Sequence, residues 1–444
     1  MHASNPLDAW TAAKIGCRGP VFSRAELTDY QLLRLTDTVA WAKQRSPFYR
    51  RQLKHIEVTT RVTLDELRQL PFTTAEDVRR NAPPLLCLSQ SDISHVVTLD
   101  TSGTSGPPKR LFFTADEQEA TTDFFHHGMC LSAHPGDRVL ILFPGERPGS
   151  VGDLLAKALL RLGATPIMVG WPQDPAVAAV LLRQERPDVV AGTPVAMLAV
   201  ARHSAVMGLP PLRIQRVLLS ADHAAASVRR HLTALWGCEI FEHYGMTEMG
   251  LGGGVDCTAH SGYHMRESEL FIEVVDPTNG APVADGEMGE VVFSTLTRRG
   301  MPLIRYRTGD LSRCLPGTCA CGSPLVRLER LHRRVHGSIR LDGAGELTMA
   351  MLDECLFDID GIADFNAVFQ HGPPDLLDIE ITAVNGSATD AARLQTAARA
   401  ALENSAYLVA ASSTQRLRLS ITMSPSRHLP RRAGKRTIVQ SVSL

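Results

Sequence analysis

The stretch Thr101-Ser102-Gly103-Thr104-Ser105-Gly106-Pro107-Pro108-Lys109-Arg110 gathers hydroxyls, glycine N–H groups and adjacent cations. Such a loop can wrap phosphate oxygens, because glycine permits the backbone angles and close approach that a cradle needs. It is not a Walker loop: the G-x-x-x-x-G-K-[ST] spacing is absent, and the apolar run Leu111-Phe112-Phe113 follows where a helix should begin, which puts the loop between strands. Downstream, Glu242-His243-Tyr244-Gly245-Met246-Thr247-Glu248 follows a strand-like run from Glu239 to Phe241, at the kind of sheet edge where open α/β folds bind ligands. There Tyr244 can stack on a purine, Thr247 can hydrogen-bond a phosphate, and Glu248 offers Mg²⁺ a hard oxygen. Tyr306-Arg307-Thr308-Gly309-Asp310 ends in a carboxylate suited to ribose hydroxyls, and Pro430-Arg431-Arg432-Ala433-Gly434-Lys435 carries a lysine on a flexible segment. Each has a plainer reading when taken singly: a surface hairpin, packed or solvated loop residues, an ordinary turn, a basic tail.

Cys257, His264, Cys319 and Cys321 form another chemical set: three thiols and an imidazole can close a tetrahedral Cys₃His zinc site of the structural kind. Their C-x₆-H and C-x-C spacings are not the usual C-x₂-C knuckles, so reduced, unliganded cysteines are the alternative, with His260 and Cys314 as nearby substitute ligands.

The elements that must position these groups follow from pattern. Leu32, Leu35, Val39 and Ala42 recur at helical spacing until Ser46-Pro47 stops them. From Val139 to Gly245, β-type runs (Val139 to Phe143, Ile167 to Val169, Val189 to Ala191, Val217 to Leu219) alternate with helical patterns (Leu154 to Leu162, Ala224 to Leu235), a βαβ rhythm with a buried parallel sheet. Beyond Gly262 strands dominate: Glu269 to Val275 and Gly289 to Ser294 flank the turn cluster Asp276-Pro277-Thr278-Asn279-Gly280. After about Arg334 the chain reads strand (Leu376 to Thr382), helix (Ala388 to Leu402), strand (Leu417 to Met423). The fold class is therefore α/β, with a large N-terminal domain over 1–334 (βαβ sheets plus a β-rich subdomain) and a small, mobile α+β C-terminal domain over 335–444.

Composition sets the class of partner. A chain of 444 residues exceeds one ordinary hydrophobic core. Lys plus Arg (46) and Asp plus Glu (47) nearly cancel, leaving no electrostatic footprint for nucleic acid or an anionic membrane surface. No apolar window is long enough to span a bilayer, the start lacks a secretory pattern, and nine scattered cysteines argue for reduced thiols or metal ligands. Small-molecule chemistry in the cytoplasm is the expectation.

The order and separation of these stretches resemble the acyl-adenylate-forming superfamily, and within it the phenylacetate–coenzyme A ligase and coenzyme F390 synthetase branch. Ser46-Pro47-Phe48-Tyr49-Arg50-Arg51, Leu70-Pro71-Phe72-Thr73-Thr74, Gly192-Thr193-Pro194 and Met301-Pro302-Leu303-Ile304-Arg305-Tyr306-Arg307-Thr308 extend the resemblance over nearly the whole chain. It implies an AMP-forming acid–thiol ligase: ATP-dependent activation of a carboxylic acid, aryl or arylalkyl, to an acyl-adenylate, then transfer to coenzyme A. By the same resemblance the Thr101 loop holds ATP phosphates, Ser220-Ala221-Asp222 and Tyr244 line the adenine pocket, Thr247 meets phosphate and Glu248 magnesium. Asp310 holds the ribose, Arg334 touches ribose or phosphate, and Lys435 bridges the carboxylate and α-phosphate. The cysteine set also matches a Cys and Gly-Tyr-His element of this branch and its later Cys-x-Cys-Gly element.

The sequence also departs from the pattern. The acidic pair expected after Arg334 is replaced by Val335-His336-Gly337-Ser338, so Gly337 is the residue left to absorb a hinge rotation, and Ser220 replaces a glycine, a change that fits a negative φ. Other acyl acceptors stay open: an amine, a hydroxyl, or the thiol of a carrier protein. A homodimer is compatible with the reading, and the remaining class is a non-catalytic nucleotide binder, against which Glu248, Asp310 and Lys435 weigh.

Overall fold

The computed structural model describes residues 5–57, 61–99, 108–208, 210–331, 333–341, 345–405, 408, 417–426, 428–430 and 435–441. The loop residues Thr101 to Gly106 lie outside the described residues, as do Arg431 to Gly434. The chain divides into two compact units, one of 1–134, 147–162 and 241–331, the other of 135–146, 163–240 and 332–444.

In the first unit, helix Arg24–Arg45 opens with a capping box between Ser23 and Glu26 and buries Leu27, Leu35, Val39 and Ala42. It stops at Ser46 because Pro47 cannot continue the ladder; Ser46 instead caps the short helix Pro47–Gln52. Strands His95–Leu99 and Lys109–Phe113 pair antiparallel, from His95 opposite Phe113 to Leu99 opposite Lys109, so they flank the glycine-rich loop as the sequence predicts. Leu270–Val275, Gly289–Thr295 and Tyr306–Ser312 make an antiparallel meander. Its first turn is set by Asp276, whose carboxylate accepts from Thr278 N and Asn279 N. Short strands Gly254–Val255, Tyr263–Met265 and Arg327–Leu328 pair antiparallel beside His243 and Tyr244. The core of this unit joins the helix residues Leu35 and Val39 to Met265, Phe293, Ile304 and Tyr306.

In the second unit, Thr165–Met168, Arg138–Ile141, Val189–Gly192 and Arg216–Leu219 lie side by side, all parallel. The central strands are buried along their length and apolar except for Arg216, which pairs with Asp137 at 3.0 Å. Helices Pro175–Glu185, Pro194–Val206 and Ala226–Trp236 pack on them. The C-terminal part adds a hairpin (Ser338–Leu341, Gly345–Thr348), helix Met349–Leu356, and a sheet ordered Leu417–Met423, Asp375–Ala383, Ile362–Gln370, Val439–Ser441, with helix Ala388–Glu403. Its apolar residues share one cluster with the parallel sheet's, so Phe357, Phe365 and Leu394 belong to the same core as Leu198 and Leu232. Polar links reinforce the joint: buried Arg202 donates to the Phe357 and Ile362 carbonyls. Helix Ala226–Trp236 lacks a side-chain cap from Ala225, and Glu354 fills that role from helix Met349–Leu356, accepting from Ala226 N (2.5 Å) and Ser227 N (3.0 Å). Among the described residues, no helix is long and apolar enough to cross a membrane.

Candidate active site

The strand Glu239–Tyr244 delivers the residues of the first unit's polar site, and a tight turn at Thr247–Met249 follows. Gly245 is required there: a Cβ would sit 2.3 Å from the Leu251 carbonyl oxygen and 2.9 Å from the His243 ring. The turn buries Glu248, only 2% exposed, with its backbone carbonyl accepting from Arg298. Its Oε1 accepts from the Tyr306 hydroxyl at 2.9 Å and from the Lys109 ammonium. Asp310, 1% exposed, accepts at Oδ2 from the Tyr244 hydroxyl at 3.2 Å, and its own N–H donates to Thr308 Oγ1 at 3.0 Å. Each carboxylate predicted to meet ligand is therefore held by a tyrosine, and Lys109, at the end of the glycine-rich loop, reaches Glu248. Thr247 and Met246 stay half-buried beside them.

The other residues of this strand are engaged differently. Glu242 pairs with Arg330 at 2.9 Å and accepts from the Tyr263 hydroxyl at 3.2 Å. The half-buried His243 ring packs 6.1 Å from Phe124 and 5.9 Å from Phe125; burial, seconded by the Arg266 charge, pushes its pKa down to about 4. Both contacts are non-local, and sequence spacing carries no trace of them.

The second unit carries the remaining predicted residues. Ser220 follows strand Arg216–Leu219, its N–H bonded to the Gly192 carbonyl, and it is Ala221, at φ 71°, that takes the left-handed conformation instead. Asp222 accepts at Oδ1 from His223 N (2.9 Å) and at Oδ2 from Arg436 N (3.2 Å). Arg334 is half-buried at the end of a short strand, and Gly337 just beyond it has φ 130°, a conformation reserved in practice for glycine. Lys435 is half-buried and directly precedes Arg436, whose side chain is almost wholly enclosed. The sequence alone assigns no role to Tyr306, Arg436 or Asp353; Tyr306 stands inside the motif that ends at Asp310, and Arg436 directly follows Lys435.

In the first unit, Cys257, His264, Cys319 and Cys321 come together, with one ligand atom from each lying within 4.8 Å of the others. Cys257 Sγ is 3.7 Å from Cys319 Sγ, and Cys321 Sγ is 3.4 Å from His264 Nε2. Metal–ligand bonds of about 2.0–2.3 Å at tetrahedral angles need ligand atoms spaced in this range, so the set fits a Cys₃His zinc site. Burial, with the Arg327 charge, drives the His264 pKa to about 4, leaving the neutral imidazole that a metal requires. Of the alternative ligands, His260 pairs with Asp256 at 3.0 Å, and Cys314 is not among the four residues whose ligand atoms converge. All nine cysteines are free thiols.

The family model for AMP-binding enzymes matches residues 36–297, more than half of the chain. A phenylacetate–coenzyme A ligase of Aromatoleum evansii is 30% identical over 305 residues, covering 67% of this chain and 68% of the relative. One from Thermus thermophilus is 29% identical over 315 residues, covering 69% of each. Among solved structures, 2-hydroxyisobutyryl-CoA ligase bound to an acyl-AMP superposes with a TM-score of 0.75 at 21% identity, over 95% of this chain and 90% of that one.

Proposed function

This chain belongs to the AMP-binding enzyme family, and we propose that it is an AMP-forming ligase that joins a carboxylic acid to coenzyme A through an acyl-adenylate. In the first half-reaction a carboxylate oxygen attacks the α-phosphorus of ATP and pyrophosphate leaves; in the second the coenzyme A sulfur attacks the acyl carbon and AMP leaves. The observation that carries this reading is the pair of deeply buried carboxylates, Glu248 and Asp310, each fixed by a tyrosine hydroxyl within one unit. Burying carboxylates is costly, and pre-positioning them for a cation and a sugar is a physical reason to keep them there.

The residue roles follow the resemblance. By that resemblance Lys109, the loop Thr101 to Gly106 and Thr247 would bind ATP phosphates, Tyr244 and, from the second unit, Ser220, Ala221 and Asp222 would recognise adenine, Asp310 would take the ribose hydroxyls, and Arg334 would bind ribose or phosphate. Glu248 is the candidate Mg²⁺ ligand, and the Lys109 ammonium at its oxygen supports a cation there. Bound Mg²⁺ would supply neutralising charge to the phosphates. Lys435 stabilises the charge that gathers on the α-phosphate and carboxylate, and no protein nucleophile takes part. Lys435→Ala should abolish adenylation yet leave thioester formation from supplied acyl-adenylate intact; equal loss of both would contradict this role. A hinge at Gly337 lets Lys435 withdraw before the thiol arrives, and the φ of 130° there supports it. A structural zinc on Cys257, His264, Cys319 and Cys321 and a cytoplasmic location belong to the same reading, the latter supported by the free thiols.

The test is acid-dependent exchange of labelled pyrophosphate into ATP across aromatic and aliphatic carboxylates, followed by addition of coenzyme A. Exchange with an aryl or arylalkyl acid and a coenzyme A-dependent thioester are expected. No exchange with any acid would overturn the reading. Exchange without a thioester would transfer it to an amine, hydroxyl or carrier-protein acceptor, which the replacement of the usual acidic hinge pair by Val335-His336 favours.

A further inference from the structure

The residue after Lys435 is more tightly held than any role assigned so far requires. The Arg436 side chain is 4% exposed and lies over two aromatic faces, 4.9 Å from the Phe357 ring centre and 4.3 Å from that of Phe365. Its Nη1 pairs with Asp353 Oδ1, and its Nη2 meets Asp364 Oδ1 at 3.3 Å and the Phe365 carbonyl at 3.0 Å. Both aspartates are buried. The backbone is held as well: the amide joining Lys435 to Arg436 donates its N–H to Asp222 Oδ2 at 3.2 Å. Beyond it Ile438 enters the core and Val439–Ser441 joins the C-terminal sheet.

A buried ion pair is a poor device for stability, since apolar residues of similar volume often do as well or better. It is a good device for position. A planar guanidinium clamped between rings and carboxylates fixes orientation as well as distance, which a lysine cannot do. Consecutive Cα atoms are separated by about 3.8 Å, so fixing Arg436 and the peptide before it fixes the base of the Lys435 side chain. We propose that Arg436, clamped by Asp353 and Asp364, is the positioning residue that sets Lys435 for adenylation, with Asp222 holding the peptide between them. This rests on the reading of Lys435 given above. The clamp also explains why a carboxylate as deeply buried as Asp353 is tolerated on helix Met349–Leu356: its counter-charge arrives from the far end of the chain.

The deciding variant is Arg436→Lys, which keeps the charge opposite Asp353 but loses the planar fork. Pyrophosphate exchange should fall about 10- to 100-fold, the scale of a small misplacement of a reacting group, mainly in kcat and with little change in KM for ATP. Thioester formation from supplied acyl-adenylate should stay within about twofold under the same argument. Unchanged exchange, or parallel loss of both half-reactions together with a lowered melting temperature, would overturn the proposal. Should Arg436→Lys fail to fold, Asp353→Asn, which preserves shape and removes one clamp charge, is judged by the same criteria. Lys435→Ala run alongside separates the failures: exchange that survives it removes the underlying reading and the proposal with it, whereas exchange lost in Lys435→Ala but intact in Arg436→Lys removes the clamp alone.

Discussion

The Glu248 region and the cysteine cluster are both buried polar sets in the same unit, and they are completed in opposite ways. Glu248 faces donors, Lys109 and Tyr306, and Asp310 faces Tyr244, so acceptors meet hydrogens that the protein itself supplies. In the cluster, two sulfurs lie 3.7 Å apart and a third lies 3.4 Å from an imidazole nitrogen, groups of the same ligating character. The first arrangement can exchange protein donors for a substrate and its cation. The second, with the zinc proposed for it, would be closed and leave no position open for chemistry. Substitutions in the first should therefore be read in rates, and those in the second in stability.

The largest expected effect tests the first half of that contrast. Glu248→Gln should slow pyrophosphate exchange by about 10²–10³-fold, the scale for losing one preorganised charge contact, with the melting temperature nearly unchanged. A large drop in melting temperature with normal exchange would reverse the contrast. Next, Cys319→Ser should destabilise the protein by about 3 kcal/mol and lower its zinc content, measured by elemental analysis and thermal unfolding, while exchange at a temperature where the variant stays folded is retained. Protein purified without chelator that carries no zinc would end the metal reading. His243 offers a third way of keeping a polar group inside, as the neutral form. Its folded pKa of about 4 lies below the ordinary 6.5, so the stability it contributes is full above about pH 6.5 and is lost as pH falls through 4. The span is at most about 3 kcal/mol at 1.36 kcal/mol per pKa step, and His243→Gln should flatten the unfolding curve in that window. The smallest effect belongs to Tyr306→Phe, which leaves Lys109 on Glu248 and should cost about 1 kcal/mol, a severalfold fall in exchange.

Much of the frame was legible because it is written in local periodicity. Leu35, Val39 and Ala42 mark the buried face of helix Arg24–Arg45, and the runs at Val139, Val189 and Val217 are strands of the parallel sheet. Strand Ile362–Gln370 was not read, since Asp364 interrupts its apolar pattern; the interruption is tolerated only because Arg436 neutralises it from a distant part of the chain. The site divides in the same way. Glu248, Asp310 and the cysteine set were legible as residue types in order, whereas Lys109 on Glu248, Tyr244 on Asp310 and the Arg436 clamp are tertiary pairings that no spacing announces.

Glu354 has a consequence for the order in which the molecule is made. The ribosome releases helix Ala226–Trp236 long before residue 354 exists, so the N–H groups of Ala226 and Ser227 wait on water until helix Met349–Leu356 emerges and docks. The parallel-sheet half of the second unit thus cannot finish its own helix ends during synthesis. A chain stopped before Met349 would keep that helix start permanently uncapped and should be cleaved there first in limited proteolysis, while the full-length chain resists.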